Sequence, residues 1–247
     1  MIAHLPYCGS PPMPAELAGR FNLDPVLIVV LVAVGTAHWA WARRRNEGGY
    51  AAAGWLVAAF AFLSPLCALS VSLFGARVAQ HMILLLLAAP LIALALPPVP
   101  ERYGLRGLWG STAAFFVALW FWHMPVPYDA TFLSTPLYWT MHISLFGSGI
   151  LLWRALLRHR PEHTAQVLAA GALSSMQMGL LGAVLTLANH PMFLWHFGTT
   201  GAWGLTPLQD QQIGGLIMWV PGILLFLWAA LRSLSRLWNL LEEARPA

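Results

Sequence analysis

The chain has 247 residues, of which 59% are apolar and only 9% are charged. A soluble domain carries roughly 25% charged residues, so these side chains cannot build a water-facing surface for a chain of this size. This composition excludes a soluble enzyme, a nucleic-acid-binding protein and a disordered chain, although the net charge is +4. The sequence contains no lysine, which also excludes chemistry through a lysine Schiff base.

The hydropathy pattern predicts an all-α, polytopic membrane protein, a bundle of seven transmembrane helices. Each apolar segment is near 20 residues, the length that crosses a bilayer. A single membrane domain over residues 25–237 follows an outer N-terminal segment, 1–24, and precedes a cytoplasmic tail, 238–247. The predicted spans are Pro25–Ala42, Tyr50–Leu73, Val78–Leu96, Gly107–Met124, Leu137–Leu157, Gln166–Ala188 and Gln212–Leu237.

The arginines predict the orientation of the bundle. In the seven-span arrangement, 11 of the 13 arginines fall on one side of the membrane, and only Arg20 and Arg77 fall on the other. Because basic residues favour the cytoplasmic side, the N-terminus is predicted outside and the C-terminus in the cytoplasm. We therefore expect a multi-pass protein of the inner (plasma) membrane.

Three histidines are predicted at similar depth near the outer face. His81 opens the third span, His123 closes the fourth, and His142 lies one to two turns into the fifth. Cys67 lies toward the outer end of the second span, and nothing local predicts that it forms a disulfide with Cys8. Ionisable groups inside membranes are costly and suggest function. Imidazole and soft sulfur donors suit copper, so His81, His123 and His142, with Cys67 as a fourth ligand, are the candidate metal site.

Structural interpretations of the same residues stay open. A histidine near a helix end is commonly a hydrogen-bonded interfacial side chain, and a buried cysteine commonly packs as a small hydrophobe. The methionines beside the histidines fill gaps in apolar packing equally well. The outer loop 189–211 carries His190, Trp195, His196 and Trp203, which form either an interfacial aromatic belt or the edge of a haem site.

The chain also resembles a known family, the multi-span CtaG assembly factors of cytochrome c oxidase. The resemblance runs from about Asp24 to Arg236, and the order and spacing of the matching stretches carry it. These are Asp24-Pro25, Ser64-Pro65-Leu66, Gln80-His81-Met82 on to Ala89-Pro90-Leu91, Trp122-His123-Met124-Pro125 with Tyr128-Asp129, His142, and Asp210-Gln211-Gln212 with Gly215, Ile217-Met218-Trp219 and Pro221. The resemblance implies a seven-helix bundle that helps to build the copper-containing core of a haem-copper oxidase.

The chain departs from the family pattern at the positions beside these histidines. Where members commonly have Ala-His-Met, this chain has Ala76, Arg77 and Val78. The histidine often found four residues before His142 is Tyr138, the acidic residue before it is Met141, and the aspartate after Ser-Pro-Leu is Cys67. One histidine of each helical pair is therefore missing. The chain then either forms a metal site with softer ligands or belongs to a branch of the family that binds no metal.

Several functional hypotheses follow. The first is a non-enzymatic assembly factor that handles copper at the outer face and delivers it to the catalytic subunit of an oxidase. The alternatives are a haem-handling or electron-transfer protein and a metal-free assembly scaffold. A solute transporter is disfavoured, because the predicted spans contain no mid-membrane acidic residue and no repeat.

Overall fold

A computed structural model describes residues 5–100 and 104–243. Of the arginines used for orientation, Arg102 and Arg245 lie outside these ranges. The all-α prediction is confirmed, since the described residues contain no strand. The helices are α1 (Pro25–Ala42), α2 (Gly48–Leu63), α3 (Leu66–Ser72), α4 (Phe74–Met82), α5 (Ala89–Leu94), α6 (Gly104–Trp122), α7 (Pro125–Leu133), α8 (Thr135–Leu157), α9 (Thr164–Leu187) and α10 (Pro207–Glu243).

Prolines and backbone breaks shape the first half of the bundle. Helices α2 and α3 meet at Pro65 and are bent by 46° relative to each other. A π-helical segment, Ile83–Ala88, joins α4 to α5, so these three pieces run on as one rod. Kinks in long helices commonly lie at prolines and π-helical turns. Pro65 lies at the bend between α2 and α3, and Pro90 lies just after the π-helical segment, at the start of α5.

Five helical segments of the described chain are long and apolar enough to cross a membrane. A sixth is obtained if the bent pair of α2 and α3 is counted as one span. All seven predicted spans have helical counterparts, but α6 is not among the segments that meet this criterion. The structure therefore supports a polytopic membrane protein, while the count of seven is not confirmed.

The rod of α4, the π-helical segment and α5 forms the centre of the bundle. In Phe74–Leu94, 78% of the residues in an 18-residue apolar stretch are buried inside the bundle. In the segment that contains α1, only 11% of such a stretch is buried. The rod packs against α2, α8 and α10, and α9 pairs along α10. Short connections place α6 beside α8, with α7 between them in the chain. The centre of the bundle is where the histidines of α4 and α8 lie.

Most arginines with described contacts gather at one end of the bundle, which we call the arginine-rich end. Arg45 and Arg158 both bind the carboxylate of Glu47, at 2.7 and 2.6 Å. Arg154 donates to the carbonyl oxygens of Pro97 and Pro98, and Arg236 donates to that of Leu157. Arginines also cap helix C-termini well, because those carbonyls carry partial negative charge. Arg20 is separate from this group and binds Ser10.

Candidate functional site

One histidine contacts two others inside the bundle, and the three come from separate parts of the chain. The ring of His81, on α4, lies 5.5 Å from that of His123 and 5.2 Å from that of His142, centroid to centroid. His123 follows the end of α6, and His142 lies on α8. All three side chains are buried. The structure thus brings together the three histidines that the sequence predicts as ligands, and we call them the histidine cluster.

Hydrogen bonds to the backbone fix two of the three rings. His123 Nδ1 lies 2.7 Å from the carbonyl oxygen of Leu119, and His142 Nδ1 lies 3.0 Å from that of Tyr138. A carbonyl oxygen only accepts, so each Nδ1 carries the hydrogen and each Nε2 holds a lone pair. Metal-binding histidines are commonly oriented by such a bond from their other ring nitrogen.

Four ring nitrogens of the histidine cluster are buried without a hydrogen-bond partner. They are Nε2 of His123, Nε2 of His142 and both nitrogens of His81. A buried polar atom without a partner costs roughly 1–3 kcal/mol, and such atoms are uncommon in folded proteins. Their concentration at one place is the strongest chemical feature of the described part of the chain.

The rings do not converge on one point in this conformation. They meet edge to face, with interplanar angles of 83° and 73°. Within residues 5–100 and 104–243, no group of three His, Cys, Asp or Glu side chains is placed to hold a metal ion. Metal binding at the histidine cluster would therefore require the rings to rotate, and the ligand roles remain predictions.

The expectation for the cysteines needs correction. Cys67 forms a disulfide with Cys8, 59 residues earlier, and their Cα atoms are 5.5 Å apart. A sulfur atom in a disulfide is not a thiolate, so Cys67 is not a soft ligand in this state. Sequence reasoning assigned Cys8 no such partner, because the pairing depends on how the N-terminal segment folds back. The sequence observation that could have indicated this disulfide is that the chain has only two cysteines and both were predicted near the outer face.

Tyr138 connects this disulfide to the histidine cluster. Its hydroxyl oxygen lies 3.4 Å from Cys8 Sγ and 3.8 Å from Cys67 Sγ. Its ring contacts that of His142, with centroids 4.2 Å apart. Tyr7 stacks on Tyr138 from the other side at 4.8 Å and donates its hydroxyl hydrogen to Asp24. The N-terminal segment is thus pinned over the helix turn that carries His142.

Burial and hydrogen bonding affect the ionisation of this N-terminal segment. Burial is the main cause that raises the pKa of the Tyr7 hydroxyl, and its bond to Asp24 adds to the shift. The same bond lowers the pKa of the Asp24 carboxyl. Asp24 also accepts a bond from the backbone N–H of Val26, which caps the start of α1. Tyr7 therefore stays protonated and ties the segment to the first helix.

Arg77 lies one helical turn before His81 and is fully buried, with 1% of its surface exposed. Its guanidinium donates to Thr131 Oγ1 at 3.2 Å and lies 4.2 Å from the ring centroid of Phe132. Among the described residues, no ion pair joins Arg77 to a carboxylate. This side chain, at a position where the family resemblance leads us to expect a histidine, places a positive charge beside the histidine cluster.

The loop 189–211 contributes hydrogen bonds that hold the bundle together. His196 is buried, with Nε2 2.8 Å from the Tyr128 hydroxyl and Nδ1 3.2 Å from the carbonyl oxygen of Ser72. Trp195 stacks on Phe132 at 4.5 Å. An axial haem bond from His196 would break one of its two hydrogen bonds. The exposed His190 binds only its neighbour Asn189 among the contacts described.

The methionines beside the histidines differ in their surroundings. Met82 and Met141 are buried in the apolar core, at 4% and 0% exposure. Met124 is half exposed. The core packing of Met82 and Met141 matches the structural interpretation of these residues.

Fold and site together define a helical, polytopic membrane protein with a buried cluster of histidines. The family model for cytochrome c oxidase caa3 assembly factors (Caa3_CtaG) matches residues 25–239. The chain therefore belongs to this family, and the resemblance noted in the sequence is confirmed. No curated protein and no solved structure gives a match. Family membership makes the chain a cytochrome c oxidase assembly factor with an oxidase as its partner.

Proposed function

We propose that this assembly factor handles copper as a cargo ion at His81, His123 and His142, and delivers it to the catalytic subunit of a haem-copper oxidase. The observation that carries the proposal is the group of four buried ring nitrogens without partners. Imidazole nitrogen binds both copper states, and lone pairs at Nε2 are the form that a metal requires. The role is one of binding and transfer and involves no catalysis.

The cluster is suited to a transient cargo. The carbonyl oxygens of Tyr138 and Leu119 orient two rings through their Nδ1 atoms, while the Nε2 atoms of these rings have no hydrogen-bond partner that a bound ion would displace. The nearby charge of Arg77 opposes a bound cation, because like charges repel strongly in a low-dielectric interior. A site with such a repulsive neighbour would release copper more readily than a structural metal site.

The proposed topology places the histidine cluster near the outer face, within a seven-span bundle whose N-terminus is outside. The arginine-rich end supports this orientation, because it would then face the cytoplasm. Fusions of alkaline phosphatase to the outer loop and to the C-terminus test it. Activity at the loop around His190 and none at the C-terminus is expected, and the reverse pattern would refute the orientation.

Elemental analysis of protein purified gently from membranes tests the copper role. We expect about one copper per chain after Cu(I) titration, and loss of that copper in His81→Ala combined with His142→Ala. His190→Ala is the matched control, since His190 is exposed and outside the cluster. Equal copper in all three proteins would refute the assignment of the site. Iron together with a Soret absorption band would favour the haem-handling alternative.

A metal-free scaffold is the second candidate. It is favoured by the edge-to-face arrangement of the rings and by the replacement of two family histidines by Arg77 and Tyr138. A scaffold would assemble oxidase normally when the double histidine variant replaces the natural chain. The copper-handling role instead predicts oxidase depleted of copper in those cells, with unchanged amounts of the variant protein.

A further inference from the structure

A basic cleft opens at the arginine-rich end, between α6, α8 and the start of α9. Its lining includes Arg158, His159 and His163 and the apolar side chains of Leu105, Leu108 and Val167. His159 donates from Nδ1 to the carbonyl oxygen of Leu156 over 2.8 Å, so its Nε2 is an acceptor. Arg158 binds Glu47 through its terminal nitrogen, while its Nε is buried without a partner. Arg158 thus brings one unsatisfied donor, its Nε, to a cleft that is partly lined by apolar side chains.

Positive charge exceeds negative charge around this cleft. Arg45 and Arg158 share the single carboxylate of Glu47. Arg154 binds only carbonyl oxygens among its described partners, as does Arg236. Arg160, which also lines the cleft, pairs with Glu162 at 3.7 Å. Among the described contacts, two glutamates therefore face five arginines. A site with this balance is complementary to an anion.

An apolar groove adjoins the cleft. The groove and the cleft share Val99 and Ala155, and Arg154 lines the groove next to Ala155. Small residues of α6 form one side of the groove, namely Gly107, Gly110 and Ala114, and Leu151 of α8 faces them. Its volume is about 370 Å³. From Gly107 to Ala114 the groove runs about 10 Å along the helix, at 1.5 Å per residue.

We propose that this end of the bundle binds an anionic phospholipid. The phosphate group would lie against Arg154 and Arg158, and one acyl chain would fill the groove beside Gly110. Basic pockets between transmembrane helices bind anionic headgroups in this way. The continuity of a cationic mouth with an apolar groove selects a lipid over a free anion, which would use the cleft alone.

Native mass spectrometry of the full chain tests the proposal. The probes are phosphatidylglycerol and phosphatidylcholine, added separately to protein in mild detergent. We expect the chain to retain one phosphatidylglycerol, with at least about fivefold preference over phosphatidylcholine. This preference corresponds to the attraction between one arginine and an anionic headgroup. Arg154→Gln should remove that preference. Arg44→Gln should not, because Arg44 is an exposed arginine that lines neither the cleft nor the groove.

A second variant tests the groove independently of charge. A Cβ atom at Gly110 would meet nothing within 4 Å, so Gly110→Leu should fold and fill the groove. Gly147→Leu is the matched control, since Gly147 also has free space. We expect Gly110→Leu to lose the retained lipid and Gly147→Leu to keep it.

Three outcomes would overturn the proposal. One is equal retention of the two lipids by the natural chain. Another is an equal loss for Arg44→Gln and Arg154→Gln, which would indicate diffuse attraction to the whole surface. The third is displacement of the lipid by millimolar inorganic phosphate together with normal retention by Gly110→Leu, which would assign the cleft to a free anion.

Discussion

His142 donates a hydrogen bond from Nδ1 to the carbonyl oxygen of Tyr138, over 3.0 Å, and the two rings are in contact. The hydroxyl of the same tyrosine lies 3.4 Å from Cys8 Sγ. One residue therefore contacts both the histidine cluster and the disulfide that anchors the N-terminal segment. Breaking the disulfide should therefore alter the surroundings of His142.

The disulfide should make a large contribution to stability. Cys8→Ser combined with Cys67→Ser opens a loop of 59 residues. The chain-entropy relation gives a loss of about 4 kcal/mol in the free energy of unfolding for a loop of this length. Thermal unfolding in detergent measures the change. Reduced natural protein should match the double variant, and unchanged stability in both would show that the disulfide has little effect.

Arg77→His should strengthen copper binding. The substitution removes a buried positive charge and adds an imidazole one helical turn from His81, where side chains share a face. A gain on the order of tenfold in Cu(I) affinity corresponds to about 1.4 kcal/mol. Competition with a chromogenic Cu(I) chelator measures it.

Arg77→Gln is the control for this prediction. Glutamine removes the charge, keeps a donor for Thr131 and adds no metal ligand. An intermediate affinity is expected. If Arg77→His binds no better than the natural chain, the charge of Arg77 does not limit copper binding.

His196 should make the protein sensitive to acid. Burial, followed by the charge of Arg77, lowers the pKa of His196 from 6.5 to about 3. Between these two values the unfolded chain binds a proton that the folded chain does not, so stability falls as the pH decreases from 6.5 toward 3. The stabilising effect of neutral His196 is complete above pH 6.5. His196→Gln should flatten this dependence by at most about 1.4 kcal/mol per pH unit.

Tyr128→Phe separates the effect of the hydrogen bond on stability from the effect of protonating His196. It removes the 2.8 Å bond to His196 Nε2 but keeps the histidine. We expect lower stability at all pH values, by roughly 1–3 kcal/mol, with the acid dependence retained. Denaturant titrations at several pH values distinguish the two variants. Parallel curves for His196→Gln and the natural chain would contradict the assignment.

Gly215 should tolerate no side chain. A Cβ atom there would lie 2.6 Å from the carbonyl oxygen of Gly182 and would also clash with the Thr186 hydroxyl. Gly215→Ala should therefore separate α9 from α10 and lower stability by about 1–3 kcal/mol. Gly147→Ala, in open space, is the control and should be neutral. Equal melting temperatures for the two variants would show that the helices can shift without cost.

Much of the helical architecture followed from the sequence. The first predicted span, Pro25–Ala42, coincides with α1, where Asp24 caps and Pro25 begins the helix. The other spans also have helical counterparts, because a run of apolar residues near 20 long favours a buried helix. The sequence likewise placed His81, His123 and His142 at one depth, since each lies near the same end of its own span.

Tertiary structure alone decided which distant groups pair. The carboxylate of Asp210, in the first turn of α10, accepts the backbone N–H groups of Phe74 and Gly75, at the start of α4. The Cys8–Cys67 disulfide and the burial of Arg77 likewise depend on contacts between distant segments of the chain. Apolar periodicity reports only how each segment partitions between water and an apolar phase. Contacts between segments depend on helix packing, which joins residues 59 to 136 positions apart.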